Sequence, residues 1–588
     1  MLSLLRDYAR RHGVDSEPGF SRRYAKWAIV CDGDGRYLHS IRLGDASQKN
    51  DPGREFPVCP ELSQPELVRG SEVRSQFLIE KADVVACVSK NPGAKERAKH
   101  DFFLGLLRQA SEVMPELRAA AKCLGDGQQL EAIRKDLEEQ KCTSTDNVTI
   151  QIAGRFPVES SAWHDWWREF REQLAASAGG ATKAKGSTGR MRCFVTGDLV
   201  IPVATHPKIQ GLASVGGSTM GSSLIGFDKD AYCSYGLKQS ANAAVSEASA
   251  AAYRAGLNHL LRHNSRILVG AKVAHWYKDS LSDEEDPLSW LTEDEELVEL
   301  DAGRRADQLL RAIRTGERPN LAGNRYYAIT VSGAAGRTMI RDWMEGPFED
   351  LLGNVQAWFT DLALVAPDGN GLLPEPRIST LLAASARRLE DCSAPLAAMM
   401  WRAAVCNEMI PPSAMAGALQ QWHSELLRGG RSNCYRVALM KAYQLRWARR
   451  KEGMTMTELQ THLNEAHSDA AYHCGRLMAV LAAVQRAALG DVGAGVVQRY
   501  YAAASSTPAL VLGRLTRTSQ FHLGKMEKGL AYWYEGHLSS IWSAIGDELP
   551  TALSLEQQSV FALGYYQQMA DLRTKRNAAA PEEAEVSE

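Results

Sequence analysis

A chain of 588 residues has room for roughly three or four domain-sized cores, and 68 Lys+Arg against 70 Asp+Glu leave a formal net charge of -2. A lone nucleic-acid binder usually carries a clear positive excess, so any such contact here must come from local basic patches. Eleven cysteines without a C-x-x-C pair argue against a zinc site, and no apolar run reaches the ~18 residues of a membrane span, so the composition fits a soluble, intracellular protein in a reducing cytosol.

In chain order, MLSLLRDYARRHG reads as a basic amphipathic helix without a cleavage site. Trp27 to Cys31 and Tyr37 to Leu43 form a hairpin about the turn Asp32-Gly33-Asp34-Gly35. Residues Gln48 to Glu72 carry four prolines and few periodic apolars, which predicts a loop. A strand at Val84 to Val88 and a helix at Phe102 to Val113 follow, and the small, basic stretch Ala176 to Thr188 reads as flexible. From Cys193 short strands alternate with glycine turns, including Gly216 to Phe227, and a long helix is expected from about Ala243 to His263. Strands at Ile267 to Val269, Val273 to Trp276 and Tyr326 to Val331 complete this region. The block Ser282 to Asp301, with ten acids and no Lys or Arg, reads as a solvated face or partly disordered insert.

Beyond Arg341 strand signals vanish and apolar residues recur at helical spacing. Leu477, Leu481, Val484 and Ala488 line one helix that Gly490 would stop. Phe561, Tyr565, Met569 and Leu572 line another, with Ser554 and Gln557 as a capping box. Thr507-Pro508 is a helix start. The fold class is therefore a mixed α/β amino-terminal region of short strands and helices, followed by an all-α carboxy-terminal helical bundle. The division expected is 1–340, then a helical connection over 341–455, then the bundle over 456–588 with a disordered tail from about 577.

Four groups of residues could carry chemistry. Between Arg428 and Lys451 eight cations and no acid occur, among them Arg431, Arg436, Lys441, Arg446, Arg449, Arg450 and Lys451; this suits a phosphate backbone or a solvated basic face. GGSTMGSS, with Gly216, Gly217 and Ser218, lacks the lysine of a phosphate-binding G-x-x-x-x-G-K-[ST] loop and is either a plain glycine hairpin or a place where backbone approaches DNA closely. Lys238, Gln239, Ser240 and Asn242 bring ammonium, amide and hydroxyl groups to a helix entrance, where they could cap the helix, address phosphates and base edges, or both. His259 and His263 have the i, i+4 spacing of metal ligands but lack the glutamate of H-E-x-x-H, so ordinary helix-surface histidines are expected. His206 has no visible acid or base partner. No catalytic residue, metal or cofactor is assigned; the alternative is a cytosolic metal-dependent hydrolase or nuclease using the histidines and the acidic block.

The blocks CFVTGD (193–198), THPKIQG (205–211), GFDKDAYCSYG and KQSANAAVSE resemble the core signature of the large subunit of the type I-C CRISPR surveillance (Cascade) complex, a Csd-type family. AAYHCGRLMAVLAAVQ, YYAAASSTPALV and LSLEQQSVFALGYYQQ are similar to that family's carboxy-terminal part, and the blocks lie in order from about residue 20 to 575. The resemblance implies a non-enzymatic subunit that reads the short protospacer-adjacent motif (PAM) in duplex DNA, helps split the strands, supports the R-loop and helps recruit a nuclease-helicase. It places Lys238, Gln239 and Asn242 at the PAM or the wedge, with Arg69, Ser71, Arg74 and Gln76 as a second loop. It also makes the basic run a track for displaced or target-strand DNA. Implied partners are target double-stranded DNA, the guide RNA ribonucleoprotein, the backbone, RNA-processing and small subunits, and the nuclease-helicase, with no membrane. A small subunit could arise from an internal start at Met454 or Met456, because Lys451-Glu452-Gly453 can be encoded by a ribosome-binding sequence.

Overall fold

A computed structural model describes residues 1–15, 17–45, 51–63, 66–67, 72–88, 93–179, 189–227, 229–292, 301–429, 432–451, 459–490 and 495–579. The amino-terminal region mixes strands and helices, and the carboxy-terminal region is mostly helical. Two compact units emerge: one of Met1–Ala213, Gly217–His263 and Ala334–Thr338, the other of Ser214–Gly216, Asn264–Gly333 and Met339–Glu588.

In the first unit the elements run α1 (Leu2–Arg11), β1 (Phe20–Ala25), β2 (Trp27–Cys31), β3 (Tyr37–Arg42), β4 (Arg54–Pro60), β5 (Glu80–Lys81), α2 (Ala82–Val85), α3 (Ala94–Ala110), α4 (Leu117–Gly125), α5 (Gly127–Glu139), β6 (Asn147–Ile152), α6 (His164–Gly179), β7 (Met191–Arg192), β8 (Leu199–Val200), β9 (Lys208–Ile209), β10 (Ser222–Ser223) and α7 (Glu247–His263). The hairpin of β2 and β3 forms as its turn predicts, and β2 also pairs in parallel with β6, giving the order β3-β2-β6-β5. Trp27, Phe77, Trp163 and Trp167 are fully buried in this unit's core.

Two expectations fail here. The proline-bearing stretch contains β4, which pairs only with β1 in a two-stranded ladder whose register shifts between Ser21 and Arg23; an edge position tolerates Pro57 because its missing N–H faces no partner strand. Of the strand expected at Val84 to Val88, Val84 and Val85 end the short helix α2 and Ala86 to Val88 follow it without strand structure; all five are buried, where an apolar run cannot distinguish strand from helix.

The second unit runs β11 (Ser265–Leu268), β12 (Ala271–Tyr277), α8 (Pro287–Trp290), α9 (Ala302–Thr315), β13 (Arg325–Ala334), β14 (Arg337–Pro347), α10 (Phe348–Leu362), α11 (Ile378–Ser385), α12 (Ala394–Val405), α13 (Pro412–Arg428), α14 (Tyr435–Arg450), α15 (Ala470–Leu489), α16 (Val496–Ser506), α17 (Pro508–Leu523), α18 (Lys528–Ile545) and α19 (Leu555–Ala579). Strand structure continues past Arg341 to Pro347, because β14 extends the antiparallel β11-β12-β13 ladder. The helices share one continuous core around Trp358, Trp401 and Tyr472. α14 is buried along nearly its whole length, which matters for its charges. Part of the acidic block is not a solvated face: Asp286 caps α8, accepting from Leu288 N and Ser289 N, and pairs with His275 at 2.7 Å. Residues 293–300 lie outside the described ones.

Candidate nucleic-acid interface

Between β10 and α7 two 3-10 turns intervene, Asp230–Tyr232 and Gln239–Ala243, and α7 begins only at Glu247. It starts there because Ser246 Oγ accepts from Ser249 N at 3.2 Å, a serine N-cap. Lys238, Gln239, Ser240 and Asn242 therefore sit on a 3-10 turn ahead of the helix, not at its positive end, which corrects the helix-entrance reading.

This turn is held firmly. His206 bridges it to the helix: the Tyr253 hydroxyl donates to Nδ1 at 2.9 Å, and Nε2–H donates to Ala243 O at 3.0 Å. Phe194 N and Val203 N donate to Ala244 O and Val245 O. The Asn242 amide clamps the loop before it, accepting from Ser234 N and donating to Leu237 O and Gln239 O at 3.0–3.1 Å. Ser240 is buried. Asn242 and Ser240 thus build the turn and have their polar atoms turned inward, against the expectation that they reach DNA. Lys238 and Gln239 remain exposed, joined by Tyr235, whose ring is fully open to solvent. Tyr235 (φ 53) and Gln239 (φ 47) both occupy left-handed backbone, a conformation that costs an L-residue ~1 kcal/mol or more each. The clamp holds that strain, so the exposed side chains stand on a preset loop. Arg337 lies over the exposed Tyr232 ring at 5.6 Å.

The glycine segment does not free backbone for DNA. A Cβ on Gly216 would meet Gly333 O at 2.8 Å, and one on Gly217 would meet Leu212 Cβ at 2.6 Å, so the protein's own chain fills both spaces. It is instead the long loop of a hairpin, joining the antiparallel strands β9 and β10: Ala213–Val215 is a 3-10 turn, and Ser218 closes a tight turn by accepting from Gly221 N and, through Oγ, from Met220 N. In the second proposed loop, Gln76 is buried and cross-links Leu62 through both its N–H and carbonyl, while Arg74 donates to Glu66 O at 2.7 Å. Both serve the loop's own architecture. Arg69 and Ser71 lie outside the described residues.

Part of the basic run is taken out of any track by burial. Arg446 is 1% exposed, pairs with the buried Asp361 at 2.9 Å, donates to Ala403 O and Glu408 O, and lies over the Trp358 ring. Arg449 forks onto the same carboxylate. The buried Lys441 donates to Asp361 O, and burial lowers its ammonium to about 8. Arg436 is buried against Glu425 and the carbonyls of Ala384 and Ala386. Three of the cations expected to hold phosphate, Arg436, Lys441 and Arg446, are thus buried in the helical unit, and the exposed Arg449 is tied to the buried Asp361. Arg450 and Lys451 stay exposed, Lys451 over Trp447 at 3.9 Å, and Arg431 lies outside the described residues. A largely buried helix keeps its inward cations where acids from other elements meet them, here Asp361, far off in sequence, and Glu425, just before the run.

Among the described residues no group of three or more His, Cys, Asp or Glu is placed to hold a metal ion, and no described helix is long and apolar enough to cross a membrane. His259 is half-buried and accepts from the Tyr8 hydroxyl through Nδ1 at 2.9 Å, so it is a packing histidine that docks α1 on α7.

A model of the CRISPR-associated protein family Cas_Csd1 matches residues 4–573. The chain belongs to the Cas_Csd1 family. It is accordingly a subunit of a CRISPR Cascade complex, which acts together with other Cas subunits and a guide RNA. No curated protein matches the chain.

Two basic surfaces of this Cas_Csd1 chain escaped the sequence reading. From 492 to 526 there is no Asp or Glu, and α17 turns Leu510, Arg514, Arg517 and Phe521 outward at helical spacing, with Lys525 beyond its end. The absence of acids over this length is the signal in the sequence, fainter than the denser run at 428–451. In the first unit a cleft of about 630 Å³ is lined by Arg22, Arg23, Lys26, Lys81, Lys208, Arg254 and Arg262 against Asp51, Glu61 and Asp146. No linear signal announces this cleft, because its cations come from β1, the β1–β2 junction, β5, β9 and α7.

Proposed function

We propose that this protein is the large subunit of an RNA-guided type I-C surveillance complex in the cytoplasm, non-enzymatic, reading the PAM as duplex and helping to part the strands beside it. The observation that supports this most is the clamped, strained turn of the first unit, which presents Tyr235, Lys238 and Gln239 together. An exposed aromatic ring can stack on an unpaired base, an amide can reach the acceptors that line every minor groove, and an ammonium can hold the adjacent phosphate. Sequence recognition itself belongs to guide pairing, and the protein supplies the nucleating contacts.

The strand-supporting role moves from α14 to the outer face of α17, where the exposed Arg514 and Arg517 are flanked by the exposed Leu510 and Phe521, a cationic face with a ring on which a base can stack. Residues 456–588, containing α15 to α19, are the segment resembling a small subunit, and Met454 and Met456 lie outside the described residues. The nuclease-helicase is recruited by the assembled subunit once the R-loop has formed.

Tyr235→Ala with Gln239→Ala, in a complex assembled with guide RNA, is expected to lose PAM-dependent duplex binding while still assembling; unchanged discrimination between flanking motifs contradicts the assignment. Arg514→Glu with Arg517→Glu is expected to weaken R-loop retention and to flatten its salt dependence, the slope falling by about one for each phosphate the helix no longer holds. An unaltered salt slope contradicts the track.

A further inference from the structure

In the second unit the last turns of α15 close a pocket of about 210 Å³ with α16 and α17. One stripe of α17, Val511, Leu515, Thr518 and His522, lines it at helical spacing, and the neighbouring stripe brings Leu510 and Arg514 to its rim. From α16 come Val496, Arg499 and Tyr500, and from α15 comes Gln485. The volume falls below the ~300–1,000 Å³ of sites that enclose a whole drug-sized molecule. The pocket therefore takes one group of a larger ligand and leaves the rest at the surface.

The lining narrows what that ligand is. Arg499 and Arg514 are exposed, and among the described residues neither guanidinium has a hydrogen bond or an ion pair and no acid lines the pocket. Two uncommitted guanidinium groups at one pocket suit a phosphate, whose oxygens accept from their paired N–H donors. Beside them the exposed Tyr500 offers a ring face, and Val496, Val511 and Leu515 supply an apolar wall. Two polar side chains also keep capacity to spare. His522 Nδ1 is buried with no hydrogen-bond partner among the described residues, a state that costs free energy until a partner meets it. Gln485 accepts from Val496 N at 2.7 Å through its carbonyl, which leaves both amide N–H donors for something else. A phosphate, a flat apolar ring and a polar ring edge are the three parts of a nucleotide.

We infer that this pocket takes one nucleotide, its phosphate on Arg499 and Arg514, its base stacked on Tyr500 with an edge toward Gln485 and His522. The inference deepens the single-strand reading of α17 and rests on it only for the source of the nucleotide. Arg514 belongs both to the pocket and to the outer face, so a strand running over Leu510, Arg517 and Phe521 passes the mouth and can turn one unit inward. A free nucleotide has the same chemistry and needs no strand.

The full chain is irradiated with iododeoxyuridine monophosphate, and separately with a short oligothymidylate carrying one iodouracil, and the cross-linked peptide is identified by mass spectrometry. Cross-linking at Tyr500 by both probes gives the pocket to free nucleotides as well as to a strand; cross-linking by the oligonucleotide alone gives it to one unit of a strand. Cross-linking at Tyr500 by neither overturns the proposal. Excess thymidine monophosphate should suppress the Tyr500 product, and thymidine or inorganic phosphate far less, because each carries only half of what the pocket holds. Arg499→Ala with Arg514→Ala should lower the yield about tenfold, the loss expected of one charge-assisted hydrogen bond. Thymidine or inorganic phosphate competing as well as the monophosphate overturns the proposal, as does an unchanged yield in the double variant. The single-strand reading stands or falls separately: Arg517→Ala with Phe521→Ala, which do not line the pocket, should weaken oligonucleotide binding whether or not Tyr500 cross-links.

Discussion

Asp361 is the residue on which the charge reading of this chain turns. It lies on α10, fully buried, and holds Arg446 and Arg449 from α14, 85 and 88 positions away in sequence. A scan of residues 428–451 finds cations without acids because their partners, Asp361 and Glu425, lie before the run. Breaking such a pair from one side strands a buried charge, which typically costs ~3–5 kcal/mol. Asp361→Asn and Arg446→Glu are therefore expected to lower the urea midpoint severely, whereas Lys451→Ala, at an exposed site, should change it little. Equal, small effects in all three would contradict the buried network. At His259, burial first, and then the charges of His263, His12 and Arg22, hold the imidazole down at about 4. Its neutral form also accepts the Tyr8 hydroxyl, which protonation would forbid. Because the folded value lies below the ordinary value near 6.5, this contribution to stability is fully present above about pH 6.5 and is lost as pH falls toward 4. His259→Gln should flatten the loss of thermal midpoint over that window.

The helices of the last third were legible because their apolar spacing, caps and stops agree. Leu477, Leu481 and Val484 are buried in α15, and Gly490 ends it in left-handed backbone. Ser554 and Gln557 exchange both bonds of a capping box, and α17 begins at Pro508. What spacing could not convey is how closely two of these helices pack. A Cβ on Gly475 would sit 2.0 Å from Phe561 O, and one on Gly564 would sit 2.1 Å from Tyr472 O, so α15 and α19 touch backbone to backbone through a reciprocal glycine pair. Each glycine costs a helix interior ~0.5–1 kcal/mol in isolation, and here the close approach offsets it. Gly475→Ala or Gly564→Ala should destabilise by roughly 1–3 kcal/mol, as overpacking of a tight crossing does, despite the better helix former. A stabilised variant in chemical denaturation would contradict the crossing. In the first unit the short strands β4 and β6 and the late start of α7 were not legible, because each depends on a partner strand or on a single serine cap more than on local pattern.

At the scale of the whole molecule, the resemblance carried the broad assignment and the family match over residues 4–573 agrees with it. The mixed region followed by a helical region was legible in the switch from glycine-punctuated short strands to helical periodicity near Arg341. The candidate interface was legible only in part. The 227–247 stretch stands out in the sequence, but which of its side chains face outward depends on the Asn242 clamp and on His206, neither of which has a sequence signature. The densest charge run of the helical unit has lost Arg436, Lys441 and Arg446 to burial, while the sparser acid-free α17 face keeps Arg514 and Arg517 in solvent. The central claim is that this chain confers PAM dependence on a guide-RNA complex, and the most direct test is to assemble that complex with and without it. Binding to two target duplexes that differ only beside the protospacer would then be compared by electrophoretic mobility. The account predicts a preference for one flanking motif that disappears when the chain is omitted; a complex that forms and discriminates equally well without it contradicts the account.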